Sequence, residues 1–138
     1  MLDRPRRLRR TAALRNLVAE THISPDCFVQ PHCALAQQDG EQPNDSLAGI
    51  ARMGIDPLLR RVEADHKLGI SNVLLFGVTK EKDPEGRTGE DLDGPAHQAV
   101  RALKERFGSD ITVMADVCLC TYTDHGHCGL LHEGDVDN

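Results

Sequence analysis

The 138-residue chain has no tryptophan, one tyrosine and three phenylalanines, and none of these aromatics falls in its most basic stretch. Before residue 16, Arg4, Arg6, Arg7, Arg9, Arg10 and Arg15 stand against Asp3 alone, a balance of +5, so the total of −6 at pH 7 leaves −11 for the remainder. Arginines without interleaved aromatic platforms read as a solvated or subunit-contacting arm over residues 1–15 rather than a nucleic-acid surface. Long apolar runs are also missing. No window approaches the roughly 18 consecutive apolar residues of a membrane span, and no apolar stretch follows the basic start as a secretory signal requires. The expectation is a soluble, unexported, cytoplasmic protein. The acidic stretch Thr79 to Gly94 holds Gly86, Gly89 and Gly94 but neither a dinucleotide fingerprint nor a phosphate-loop lysine, which leaves nucleotide binding without support.

With 39% hydrophobic residues and no low-complexity tract, the chain has material for one modest core over residues 16–138. Cys27 to Leu35 gives a weak strand signal, and Gln37 to Ser46 is polar and turn-rich. Asp56-Pro57 opens a helix with a capping side chain and an early proline; Leu58, Leu59, Val62 and Leu68 share a side before Gly69 ends it. Ile70 to Phe76 is a nearly continuous apolar run, the pattern of a strand buried on both faces. The stretch from Thr79 to Gly94 reads as a mobile, solvated loop. Pro95 starts a second helix with Val100, Leu103 and Phe107 at helical spacing, Gly108 stops it, and Ile111 to Val117 is a further strand. The alternation predicts an α/β fold with a parallel sheet and functional groups at the carboxyl ends of its strands. About three βα units cannot close an eight-stranded barrel, so an exposed edge strand is expected.

Such a functional group follows the last strand: Asp116-Val-Cys118-Leu-Cys120, then His125-Gly-His127-Cys128. Three thiols within eleven residues, beside two imidazoles, fit metal binding in a reducing compartment better than a disulfide framework. Zn²⁺ is the usual occupant of such a set, with copper(I) and cadmium as chemical alternatives, and three protein ligands leave a tetrahedral ion one open position. If the strand pleat continues, Cys118 and Cys120 share a face and the glycine-containing loop returns Cys128 to them. His125 and His127 are candidates for direct or secondary metal ligation, for hydrogen bonding behind the ligands or for proton transfer, with ordinary loop histidines the bland alternative. Asp116, ending an apolar strand, either meets a cation, a metal-bound group or backbone donors, or holds the next loop. Cys27 and Cys33 lack metal-like spacing, and His22, His32, His66, His97 and His132 are scattered.

The segment Asp116-Val-Cys-Leu-Cys-Thr-Tyr122-Thr-Asp-His125-Gly-His127-Cys128-Gly129 resembles the metal segment of the zinc-dependent porphobilinogen synthase (5-aminolevulinate dehydratase) family. Arg4 to Arg9, Leu74 to Val78 and Lys82 to Gly86 resemble further segments of that family, so the likeness runs along the whole chain. It implies the N-terminal part of a TIM (β/α)8 barrel, preceded by the short basic arm. It further implies a hydro-lyase that joins two molecules of 5-aminolevulinate, with loss of water, to porphobilinogen for heme and other tetrapyrroles. By position, Cys118, Cys120 and Cys128 match the zinc ligands, Asp116 a carboxylate beside the substrate amine, and His127 a residue linked to metal in some members. The family's arm-swapped oligomer implies that residues 1–15 contact a neighbouring subunit; no nucleic acid or membrane is implied.

The departures from the family matter. Its two Schiff-base lysines are matched by none of Lys67, Lys80, Lys82 and Lys104, so no catalytic lysine is assigned and the chain alone is expected to be inactive. Gln30 to Ala34 stands where the family has aromatic and aliphatic residues, and Ala48 replaces a usual proline. Two classes of function follow: an incomplete chain of the enzyme, or a noncatalytic zinc-binding paralogue or regulatory module that associates with the complete enzyme.

Overall fold

The computed structural model describes residues 6–137; residues 1–5 of the basic arm, Arg4 among them, and the terminal Asn138 lie outside them. A short helix, α1 (Ala12–Leu17), is capped by the Thr11 hydroxyl, which accepts from Leu14 N–H at 3.1 Å. The main chain then forms β1 (Val29–Leu35), β2 (Glu41–Pro43), β3 (Ala51–Met53), α2 (Ile55–Lys67), β4 (Asn72–Val78), α3 (Pro95–Phe107) and β5 (Thr112–Ala115). A hairpin of β6 (Leu131–His132) and β7 (Asp135–Val136) follows.

The five-stranded sheet has the order β2-β3-β1-β4-β5. Strands β3, β1, β4 and β5 are parallel neighbours, and β2 runs antiparallel on the outer side of β3. β1 and β4 register from Val29 opposite Asn72 to Leu35 opposite Val78. After β1 the chain first places β3 on one side of it, then crosses through α2 to β4 on the other side and through α3 to β5, and α2 and α3 pack together on one face of the sheet. Helices on one face alone are the layering of a barrel arc, whereas a doubly wound sheet is covered on both faces.

One-sided cover shows in the burial. Val73, Leu75 and Gly77 of β4 are buried while Asn72, Leu74, Phe76 and Val78 are half-buried, so the expectation of a strand buried on both faces is corrected. The covered face is the core: Leu58 and Val62 of α2, Ala99 and Leu103 of α3, and Val73 and Leu75 of β4 are essentially inaccessible. β5 pairs only with β4 and is mostly exposed, the open edge anticipated from the sequence.

Two local readings change. The residue at the N-cap of α2 is Gly54, not Asp56. A Cβ there would lie 2.8 Å from the Asp39 carbonyl, so the close approach of two backbones requires the glycine. Asp56 sits instead in the first turn, where its charge favours the positive end of the helix dipole, and it accepts from Gln38 Nε2 at 2.6 Å. The turn-rich segment after Gln37 also holds β2 and β3, each three residues long and too short for a periodic signal. Pro43 is tolerated because β2 is an edge.

His32 of β1, one of the scattered histidines, is buried, with its Nε2 3.1 Å from Asp65 Oδ2 of α2. Burial lowers its pKa; the nearby Asp65 charge and hydrogen bond oppose that, and Arg61 adds to it.

Candidate metal centre

The last parallel strand hands its chain directly to the cysteines. Asp116 N–H still donates to Leu75 O at 2.9 Å, extending the ladder one residue past β5. The strand then stops: Cys118 caps a 3₁₀ turn over Leu119–Thr121. The pleat expected to bring Cys118 and Cys120 to one face is therefore corrected to a tight turn, whose tighter winding carries the second sulfur back beside the first. Cys118 Sγ lies 2.9 Å from Cys120 Sγ and 2.9 Å from Cys128 Sγ, and all five cysteines are free thiols.

Cys128 is returned by a second device. Tyr122 N–H and Thr123 N–H both donate to Leu119 O, at 2.8 and 3.0 Å. The buried Thr123 hydroxyl donates to His127 O at 2.8 Å, pinning the outgoing and returning legs together. Gly126 makes the bend at φ +76°. Its Cβ would meet nothing within 4 Å, so the glycine serves the backbone conformation and not space.

The three sulfurs lie within 4.8 Å of one another. A tetrahedral zinc ion with Zn–S near 2.3 Å spaces its sulfurs about 3.8 Å apart, between the 2.9 Å contacts and that outer bound. Three soft donors from one loop suit a thiophilic divalent ion, and the residues present fit it. Cys118 and Cys120 are half-buried and Cys128 is exposed.

Neither imidazole joins the sulfur cluster. His127 N–H donates to His125 Nδ1 at 3.2 Å, which makes Nδ1 an acceptor and leaves the ring proton on Nε2. That proton goes to Pro84 O, 3.1 Å away. Both nitrogens of His125 are thus engaged, and its ring stacks on His127 at 5.7 Å between centroids. His132 lies in β6 and is exposed.

Asp116 is half-buried and borders a cavity of about 540 Å³ that Ala96, Val100 and Arg101 of α3 line together with Cys118 and Tyr122. Tyr122, the only tyrosine, is buried against α3 and the acidic stretch; burial first, and the Asp116 charge second, raise its phenol pKa. The acidic stretch is organised rather than loose. Asp83 Oδ1 accepts from Glu85 N–H at 2.8 Å and its Oδ2 from Arg87 N–H at 3.0 Å, and Asp83 bridges to Thr123. Residues Asp83, Pro84 and Tyr122 were not singled out by sequence reasoning; the sole tyrosine inside a cysteine segment was the available signal. The lysines serve elsewhere: Lys67 pairs with Glu63 at 3.0 Å, Lys104 bonds the carbonyls of Gly108 and Ile111, and Lys80 and Lys82 are exposed.

Fold and site together define an arc of a (β/α) barrel with three free thiols, close enough to hold a metal ion, at the carboxyl end of its last parallel strand. Comparison with known proteins gives this class a family. Residues 2–138 match the family described as delta-aminolevulinic acid dehydratase. The chain is 41% identical to delta-aminolevulinic acid dehydratase of Helicobacter pylori, covering 100% of this chain and 43% of that protein. It is 41% identical to that of Halalkalibacterium halodurans, covering 98% and 41%. A crystal structure of delta-aminolevulinic acid dehydratase (porphobilinogen synthase) from Toxoplasma gondii ME49, in complex with the reaction product porphobilinogen, superposes with a TM-score of 0.88 at 32% identity, over 100% of this chain and 40% of that one. The chain belongs to the delta-aminolevulinic acid dehydratase family, and its fold is the N-terminal part of that family's barrel. It spans about two fifths of the length of the curated relatives it matches. Among the described residues no helix is long and apolar enough to cross a membrane.

Proposed function

We propose that this chain carries the zinc-binding portion of a porphobilinogen synthase, the hydro-lyase that condenses two molecules of 5-aminolevulinate. The observation that supports this best is the convergence of Cys118, Cys120 and Cys128 within 4.8 Å at the carboxyl end of β5. When bound, zinc supplies a Lewis acid that polarises an oxygen of one substrate. The three thiolates hold and orient the ion. Asp116, half-buried beside them, accepts the ammonium group of a substrate and excludes a competing anion. His125 and His127 shape the loop behind the thiolates. The thiols must stay reduced to do this, which places the protein in a reducing compartment such as the cytoplasm. Partner subunits of the same chain meet the basic arm.

Carbon–carbon bond formation in this chemistry needs amines that form Schiff bases with the ketones. The lysines present are tied to helix ends and acids or exposed, so the 138-residue chain alone forms no porphobilinogen. A second reading, a noncatalytic zinc module that docks on the complete enzyme, is favoured by the open edge of β5. Elemental analysis tests the shared core of both: one zinc per chain, lost on replacing any of Cys118, Cys120 or Cys128 by serine, is expected, and a zinc-free chain overturns both. Porphobilinogen formation by the 138-residue chain would overturn the assignment of no catalytic lysine. Restored activity on mixing with a lysine-containing C-terminal half favours the enzyme over the module.

A further inference from the structure

The acidic stretch and the cysteine loop meet at several points that do not involve sulfur. Asp83 N–H donates to Tyr122 O at 3.3 Å, Asp124 N–H to Asp83 O at 3.2 Å, and His125 Nε2–H to Pro84 O at 3.1 Å. Tyr122 is also the floor on which this stretch rests: Cβ atoms at Gly86 and Gly89 would lie 3.6 and 3.3 Å from it. Every one of these contacts falls on the cysteine loop between Cys120 and Cys128. On the other side all lead to the turn wound around the Asp83 carboxylate.

We propose that metal binding at the three thiols orders residues 83–89, with His125 acting as a positioning residue that transmits closure of the cysteine loop rather than as a ligand. The inference rests on the metal reading of the cysteines. An ion held by all three sulfurs, which already lie 2.9 Å apart pairwise through Cys118, ties the outgoing and returning legs of the loop together. A closed cysteine loop presents the Tyr122 carbonyl, the Asp124 amide and the His125 ring in the places that Asp83 and Pro84 require. An open one scatters them. By linkage, whatever factor the ion adds to closure of 83–89, the closed stretch adds to affinity for the ion. Asp83, thirty-five positions before the first thiol, therefore tunes metal affinity without touching metal.

The test uses the purified 138-residue chain with zinc chloride alone, reading affinity by chelator competition and amide hydrogen exchange by mass spectrometry. Zinc is expected to slow exchange across residues 83–89 about tenfold or more. Asp83→Ala and His125→Ala are each expected to weaken zinc about fivefold or more, within the usual range of coupling between sites. Asp83→Asn, which keeps one carbonyl acceptor, recovers part of the loss, and Glu105→Ala on the exposed side of α3 changes nothing. If zinc binds but exchange over 83–89 is unaltered, or Asp83→Ala binds as tightly as the parent, the coupling is overturned and the metal site stands. The exchange comparison needs no variant, so misfolding of a mutant does not decide it. A chain that binds no zinc overturns the metal reading and the coupling with it.

Discussion

The Tyr122 hydroxyl occupies the space that a Cβ on Gly77 would need. A methyl group there would also press on Ala96, whose N and Cβ would each be 3.1 Å away. The strand β4, the start of α3 and the cysteine loop are thus fitted together at a single missing side chain.

Gly77→Ala is accordingly expected to lose about 1–3 kcal/mol, the usual cost of overpacking a filled interior. Urea denaturation gives the measurement. Adding Tyr122→Phe, which deletes only the colliding oxygen, should recover part of the loss; a Gly77→Ala variant as stable as its parent refutes the packing.

Deep in the sheet–helix layer, Leu75 is fully buried, and Leu75→Ala is expected to cost about 2–5 kcal/mol. Val117 is 92% exposed beyond the end of β5, and Val117→Ala should shift stability by less than about 0.5 kcal/mol. Equal effects at the two sites, in the same denaturation experiment, contradict the position of the core.

Burial holds the His32 imidazole below its ordinary pKa, with Arg61 reinforcing and Asp65 opposing. Above the unfolded value of about 6.5 both states are neutral, and the stability is fully present. As pH falls through that value the unfolded chain takes up the proton first. Stability then declines until the folded value is reached. The urea midpoint is expected to drop between about pH 7.5 and pH 5.5, and His32→Gln to flatten that slope. A slope identical in the variant assigns the effect to other groups.

Thiol labelling separates the cysteines. Cys27 is exposed and outside the cluster, so it reacts with a disulfide reagent whether or not zinc is added. Cys118, Cys120 and Cys128 react in the metal-free chain and are protected by zinc, with protection lost under acid as protons displace the ion. Zinc that leaves the labelling of all three unchanged contradicts ligation by these sulfurs.

Much of the arc is legible in the residues because apolar periodicity and backbone stops coincide. Pro95 and Gly108 bracket α3, which runs Pro95–Phe107, and the apolar run after Ile70 becomes β4 within two residues at either end. β2 and β3 escape notice because three residues cannot show a period, and their pairing is set by backbone partners elsewhere. The gathering of the three thiols is legible from their spacing, since a short glycine-containing loop can return Cys128 to Cys118 and Cys120. How they converge is not, because a 3₁₀ turn and a strand both bring alternate residues close. The docking of the acidic stretch is written in main-chain carbonyls, Pro84 O and Tyr122 O, and a carbonyl has no letter in a sequence.

All three sulfurs come from eleven consecutive residues, which fixes the entropy of the site. Closing so small a ring costs little, and the cost grows only with the logarithm of its length. On the proposed metal reading, such a segment is close to a portable peptide: it would capture an ion before distant strands have paired, and could be moved to another scaffold with its donors intact. What would not travel with it is the surrounding floor of α3, Gly77 and the Asp83 turn, so a transplanted loop should bind an ion yet select among ions poorly.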